Sequence, residues 1–298
     1  MKNYLSMLLV DRPALVSAMF LAAIVVVAFV IAPIIAETAQ LQNLRLRMQP
    51  PFQWENGWAA LLGTDALGRS LLKRMIAASN ITLTIAVTSA FLTAFIGTAI
   101  GIAGGYRGGF ADSIAMRFAD VILSFPMLLL ALLFLYLLEP AITNIILLLV
   151  IGRLPLYMRV ARAETLSNRN MLYIDAARGL GASGFSICLN EIAPVVLPTI
   201  ATLVALDIGF LMLLESALSF LGLGVQSPNV SWGGLVAEGR RWISSSWWLT
   251  VFPGLAIFLT ALSSNVLSNW LRMATDPAQR WRLEGQGKGR ELAERGQG

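Results

Sequence analysis

Tyr173-Ile174-Asp175-Ala176-Ala177-Arg178-Gly179-Leu180-Gly181-Ala182 is a polar stretch set between two strongly apolar halves of the chain. It reads as a short helix with two small alanines on one side, broken by a pair of glycines and followed by a second helix that ends at Pro194. Small side chains let another surface approach closely, and glycine supplies a sharp bend. No run from Ala161 to Ala193 is apolar enough to cross a bilayer, and Arg159, Arg162, Arg169 and Arg178 crowd it. The region therefore lies in water or at a membrane interface. From the residues alone, an interfacial amphipathic helix and a docking element for another protein are both open.

The rest of the chain is membrane-like. Of its 298 residues 57% are hydrophobic and only 13% charged, and the mean hydropathy is +0.71, which is far from a soluble domain. The net charge of +5 is explained by the Lys and Arg that orient a membrane protein, without any nucleic-acid partner. The single cysteine, Cys188, cannot form an internal disulfide, and reads as filler in a loop where thiols stay reduced. There is no histidine, which removes His-based catalysis, His-containing zinc sites and His proton relays.

Six transmembrane helices are expected, in an all-α polytopic membrane protein. The first, Ala14 to Ala36, is too long for the core of a cleaved signal peptide. Glu37 to about Ala77 is a polar external loop; within it, Gly63-Thr64-Asp65 reads as a turn leading to a helix cap. The second span, Asn80 to about Gly104, is rich in Thr, Ala and Gly, as where helices pack closely. Gly104-Gly105-Tyr106-Arg107-Gly108-Gly109 lacks the Gly-Lys-Ser/Thr ending of a phosphate loop and is read as a tight cytoplasmic turn. A third span, about Ile114 to Leu138, is kinked by Pro126 and closed by a turn at Glu139-Pro140. In the fourth, about Ala141 to Val160, Arg153 snorkels to the interface and Pro155 interrupts the helix.

The fifth span, about Val195 to Phe220, holds Asp207 and Glu215, candidate pathway residues because charges inside an apolar helix need a partner or a cavity. Pairing with a neighbouring helix is the other reading, favoured for Glu215. A second external loop, Gln226 to Ser246, leads to Trp247 and Trp248, placed in an aromatic belt at the membrane boundary. The last span is about Leu249 to Leu271, and a charged, disordered tail runs to Gly298. This divides the chain into residues 1–77, a core of residues 78–275 with a cytoplasmic loop at 161–193, and a tail at 276–298. Most Lys and Arg then fall at the two termini and in that loop, placing all three in the cytoplasm.

Asp175-Ala176-Ala177 followed by Gly181, with Ile192-Ala193-Pro194 closing the segment, resembles the "EAA" loop of ABC-importer permeases, with Asp in place of the usual Glu and no closing Leu. Leu62-Gly63-Thr64-Asp65-Ala66-Leu67-Gly68-Arg69-Ser70 is similar to the "LGTDxxGRD" string of C-type permeases of dipeptide, oligopeptide and nickel importers, and Glu215 to Gly224 to their "EaaLSFLGLG" string. The resemblance, from about Leu9 to Pro277, implies a type I ABC importer permease fold. It implies a bacterial inner-membrane protein without enzymatic activity, metal or cofactor of its own. It also implies a B-type permease partner, two cytoplasmic ATPases using ATP and magnesium, and an external substrate-binding protein. Tyr173, Asp175, Ala176, Ala177, Arg178, Gly179 and Gly181 would contact the ATPases, moving the helices as those subunits close. Di- or oligopeptides are the expected solutes, with nickel chelates, glutathione, opines or sugars as alternatives. An ion-driven transporter protonating Asp207 or Glu215 is the runner-up, and an intramembrane enzyme ranks last.

Overall fold

A computed structural model describes residues 4–53, 60–138 and 141–275. The expected Glu139-Pro140 turn and the tail from residue 276 lie outside the described residues. A short helix α1 (Tyr4–Val10) precedes α2 (Arg12–Ala39), whose start is capped by Asp11 accepting from the Ala14 amide at 3.2 Å. Then come α3 (Leu71–Arg107), α4 (Gly109–Ser124), α5 (Met127–Leu137), α6 (Ile142–Asn168), α7 (Leu172–Gly179), α8 (Gly184–Phe220), α9 (Trp232–Gly239) and α10 (Trp248–Thr275). Five of these are long and apolar enough to cross a bilayer singly, and α4 with α5 makes up to a sixth, as one broken span or a re-entrant loop.

The helices run farther than hydropathy alone implies. At 37 residues, α3 is about 55 Å long against an apolar slab of about 30 Å, so it emerges into polar surroundings. The stretch expected as loop between 161 and 193 is shortened from both sides, by α6 to Asn168 and by α8 from Gly184. Pro194 does not end a helix. A widened π turn, Cys188–Ile192, lies just before it and absorbs the misfit between the proline ring and the carbonyl of the preceding turn. Val27–Ile31 does the same ahead of Pro33. Pro155 likewise fails to interrupt α6, because Leu154, Pro155, Tyr157 and Met158 are all buried and neighbouring helices hold the turn together. Pro126 has the opposite effect: with Phe125 extended, α4 and α5 meet at 94°.

Packing centres on α3, α6 and α8, whose Ile85, Ile145, Leu148, Leu149, Leu211 and Met212 are fully buried. The α3–α6 contact depends on Gly97, Gly101 and Gly105, four residues apart on one face. A Cβ on these would come within 2.6 Å of the Tyr157 Cβ, 2.6 Å of the Met158 carbonyl oxygen and 2.8 Å of the Thr165 Cβ. Glycine lets the two backbones close on each other. At one end of the bundle α1 packs on the end of α10 through Met7, Trp270 and Ala274.

Candidate functional site

At that same end stands the polar finger that the sequence singled out. Helix α7 is anchored by Ile174, fully buried with Tyr157, Ile187 and Ile192 in one cluster, and by the half-buried Ala177. Burying an isoleucine is worth about 1.5–3 kcal/mol, enough to seat a helix too short to persist alone. The C-terminus is sealed by a left-handed cap. Gly181 has φ +86°, the Ala182 amide donates to the Ala177 carbonyl at 3.0 Å, and the Gly181 amide donates to that of Arg178. Only Gly181 makes the bend; Gly179 is the last helical residue.

Arg178 ties the finger to the bundle. Its Nη1 donates to Asp175 at 3.1 Å, its guanidinium lies 5.4 Å from the Tyr106 ring, and a long 3.5 Å contact joins Nε to the Tyr106 hydroxyl. The Tyr106 contact and Asp175 push the guanidinium pKa further up, on a side chain that is a permanent cation in any case. Beneath it, Arg169 donates to the Gly105 carbonyl at 2.9 Å. Arg162 forks onto Asp112 with two 2.7 Å bonds, for which Gly104 leaves the room. Gly108 and Gly109, with φ +64° and +79°, make the tight turn expected there.

Tyr173, Asp175, Ala176, Arg178, Gly179 and Gly181 are all exposed. So are Leu172 (87%), Leu180 (90%) and Phe185 (74%). Leu172 and Leu180 thus lie on a capped finger outside any membrane-length helix, with Phe185 in the first turn of α8 beside them; exposed apolar groups of this kind mark contacts with protein or membrane.

The opposite end is built on ion pairs that the sequence reading missed. Arg74, nearly buried, forks onto Glu238 at 2.7 and 3.0 Å and reaches Asp65 at 3.0 Å. Asp65 also accepts from the Leu67 and Arg69 amides and from Arg69 Nε at 2.6 Å. The Gly-Thr-Asp turn is thus a clamp joining the first large loop to α9, and Ser70 then caps α3 by accepting from the Lys73 amide. Trp248 is not in an aromatic belt: it is buried, its Nε1 donating to the Thr64 carbonyl, while Trp247 is half exposed. Trp232 is buried likewise and donates to the Met75 carbonyl.

The two membrane carboxylates part company. Glu215 is fully buried; its Oε1 accepts from Ser219 at 2.6 Å and from Ser231 at 2.7 Å, and Ser231 caps α9. It staples α9 to α8. Asp207 is also fully buried, but pairs with Arg153 from α6 and lines an open groove of about 670 Å³ between α8 and α10. Arg153 therefore does not snorkel out along its own helix. The two residues are 54 positions apart, and the signal that could have joined them was one unmatched cation and one unmatched anion inside apolar spans.

Residues 97–281 match the family described as binding-protein-dependent transport system inner membrane component. The chain belongs to that family. A di/tripeptide transport system permease protein of Pseudomonas aeruginosa (strain UCBPP-PA14) is 33% identical, over 90% of this chain and 88% of that protein. A protein of Brucella abortus biovar 1 (strain 9-941), named for peptide transport, is 37% identical over 88% and 86%. A glutathione transport system permease protein of Escherichia coli O1:K1 is 37% identical over 72% and 71%. This family member is an integral inner-membrane permease subunit of a binding-protein-dependent ABC importer, and such subunits are not themselves enzymes.

Proposed function

We propose that this permease forms half of the path of an ATP-driven importer of di- and oligopeptides. A homologous B-type permease supplies the other half, two ATPases use ATP and magnesium at the finger end, and an external binding protein delivers solute at the end clamped by Arg74 and Glu238. The finger end, with both termini, faces the cytoplasm. Tyr173, Asp175, Ala176 and Arg178 carry the ATPase contact, Ala177 seats the finger against the bundle, and Gly181 sets its angle. Peptide as solute is supported by relatives named for peptide transport, and glutathione, a peptide itself, by the third.

The observation that carries the coupling role is the apolar surface of Leu172 and Leu180 on a finger whose own fold does not need them, continued by Phe185 at the start of α8. Closure of the ATPases around that surface would rock α6 and α8, the two helices that the finger connects. Transport then requires that solute bind the two states differently. The test is import by the complete reconstituted importer carrying Leu172→Asp and Leu180→Asp. Both side chains are exposed, so the permease should assemble normally while import falls at least about tenfold and ATP hydrolysis no longer tracks solute. Normal import by that variant contradicts the assignment.

A further inference from the structure

The groove between α8 and α10 contains a charge arrangement that a purely structural ion pair does not require. Asp207 is fully buried, whereas the Arg153 side chain keeps 21% of its surface exposed, and both line the groove. The pair is neutral as a whole, but its positive end faces the open space. The walls around it are mainly apolar, Leu206, Leu213 and Phe258 among them. An exposed polar residue, Asn265, lies on the same wall, its carboxamide oxygen accepting from Asn269 at 3.3 Å. Polar groups left open on membrane-spanning helices face a wet cavity or a partner rather than lipid.

We propose that Arg153, backed by Asp207 and stacked on Phe210, is a contact site for a side-chain carboxylate of an acidic solute as it passes along this groove. The inference rests on the peptide-importer reading and adds a residue that senses solute charge. A guanidinium has five N–H donors and two edges that can take a carboxylate bidentately. Asp207 occupies the edge formed by Nε and Nη2. The terminal edge, Nη1 with Nη2, is left for a second carboxylate. The Phe210 ring, 4.4 Å from the guanidinium carbon, holds the plane in place. A volume of about 670 Å³ suits a short peptide.

Asp207 also explains why such a site would not trap its cargo. A lone arginine in an apolar groove would hold an anion tightly. With a fixed counter-charge on its far edge it attracts the anion weakly enough for release, as a conducting path requires.

The test compares solutes of different charge within one importer, so that losses of folding, assembly or delivery cancel. The complete importer with its binding protein is reconstituted in liposomes and given a defined library of acidic, neutral and basic di- and tripeptides, import being read by mass spectrometry. Two variants are compared with the parent: Arg153→Asp with Asp207→Arg, which reverses the pair, and Arg153→Gln with Asp207→Asn, which removes its charge at nearly constant shape. Reversal should lower the ratio of acidic to basic peptides imported by about tenfold, and neutralisation should shift it in the same direction by less. If the variants change import of every peptide by one common factor, the pair is structural only and the proposal is overturned. Failure of the parent to import any library member overturns the peptide reading, and the proposal falls with it.

Discussion

Gly181 and Gly179 stand two residues apart, yet the backbone asks different things of them. A Cβ at either position would meet nothing within 4 Å, but Gly181 alone has a positive φ, +86°. Gly181→Ala should therefore destabilise the finger by about 1–2 kcal/mol through backbone strain without any clash. Gly179→Ala, in helical backbone, should stabilise it by about 0.5–1 kcal/mol. Hydrogen exchange of the α7 amides in the purified permease distinguishes the two, and equal effects would contradict the cap described above. Glu215 gives a second residue-scale expectation. Glu215→Ala leaves the hydroxyls of Ser219 and Ser231 without their carboxylate acceptor and should cost about 3 kcal/mol. Glu215→Gln keeps the Oε1 acceptor and should cost much less. Thermal unfolding and proteolysis at α9 provide the measurement; indifference to Glu215→Ala would show that the staple is idle. The composition made both membrane carboxylates conspicuous, but apart from Ser219, one turn beyond Glu215 on the same helix, their partners Ser231 and Arg153 come from other elements, and no local pattern announces a contact such as Arg153 with Asp207.

At the scale of elements, the α3–α6 seam is the most exacting feature. Gly101→Leu would drive its side chain into the Met158 carbonyl and the Ala161 Cβ, 2.6 and 2.7 Å from the first added atom. Overpacking of this kind costs about 1–3 kcal/mol, and here backbone would have to move. The expected outcome is a marked loss of monodisperse permease after detergent extraction; recovery at the parental level would mean that the seam is looser than the distances imply. The existence of each span was legible because about 20 apolar residues have few other uses, and the small residues from Asn80 onward announced the seam. Helix ends were not legible. Amphipathic turns beyond the apolar core of α3 and α6 carry no hydropathy signal, and Pro155 and Pro194 look like breakers until packing and a π turn accommodate them. The right-angled junction of α4 and α5 was visible only as a proline, which is equally compatible with a mild kink.

For the whole molecule, contacts define two ends. One gathers α1, the end of α10 and the finger; the other gathers the loop before α3, α9 and the start of α10. With Cys188→Ser as background, a membrane-impermeant maleimide applied to spheroplasts should label Ser245→Cys, exposed at the loop end, and spare Leu172→Cys until the membrane is opened. The reverse pattern would invert the orientation. Arg74, with Asp65 and Glu238, ties the first large loop to α9 at the loop end. The central claim is that the finger is seated in an ATPase, and site-directed crosslinking tests it most directly. In the assembled importer lacking Cys188, cysteines placed singly at Leu172, Ala176 and Leu180 are paired with cysteines across the ATPase surface. The account predicts permease–ATPase crosslinks from at least one of these positions, with yields that change when ATP is added. Absence of any crosslink from all three, in a complex that still imports solute, would contradict it.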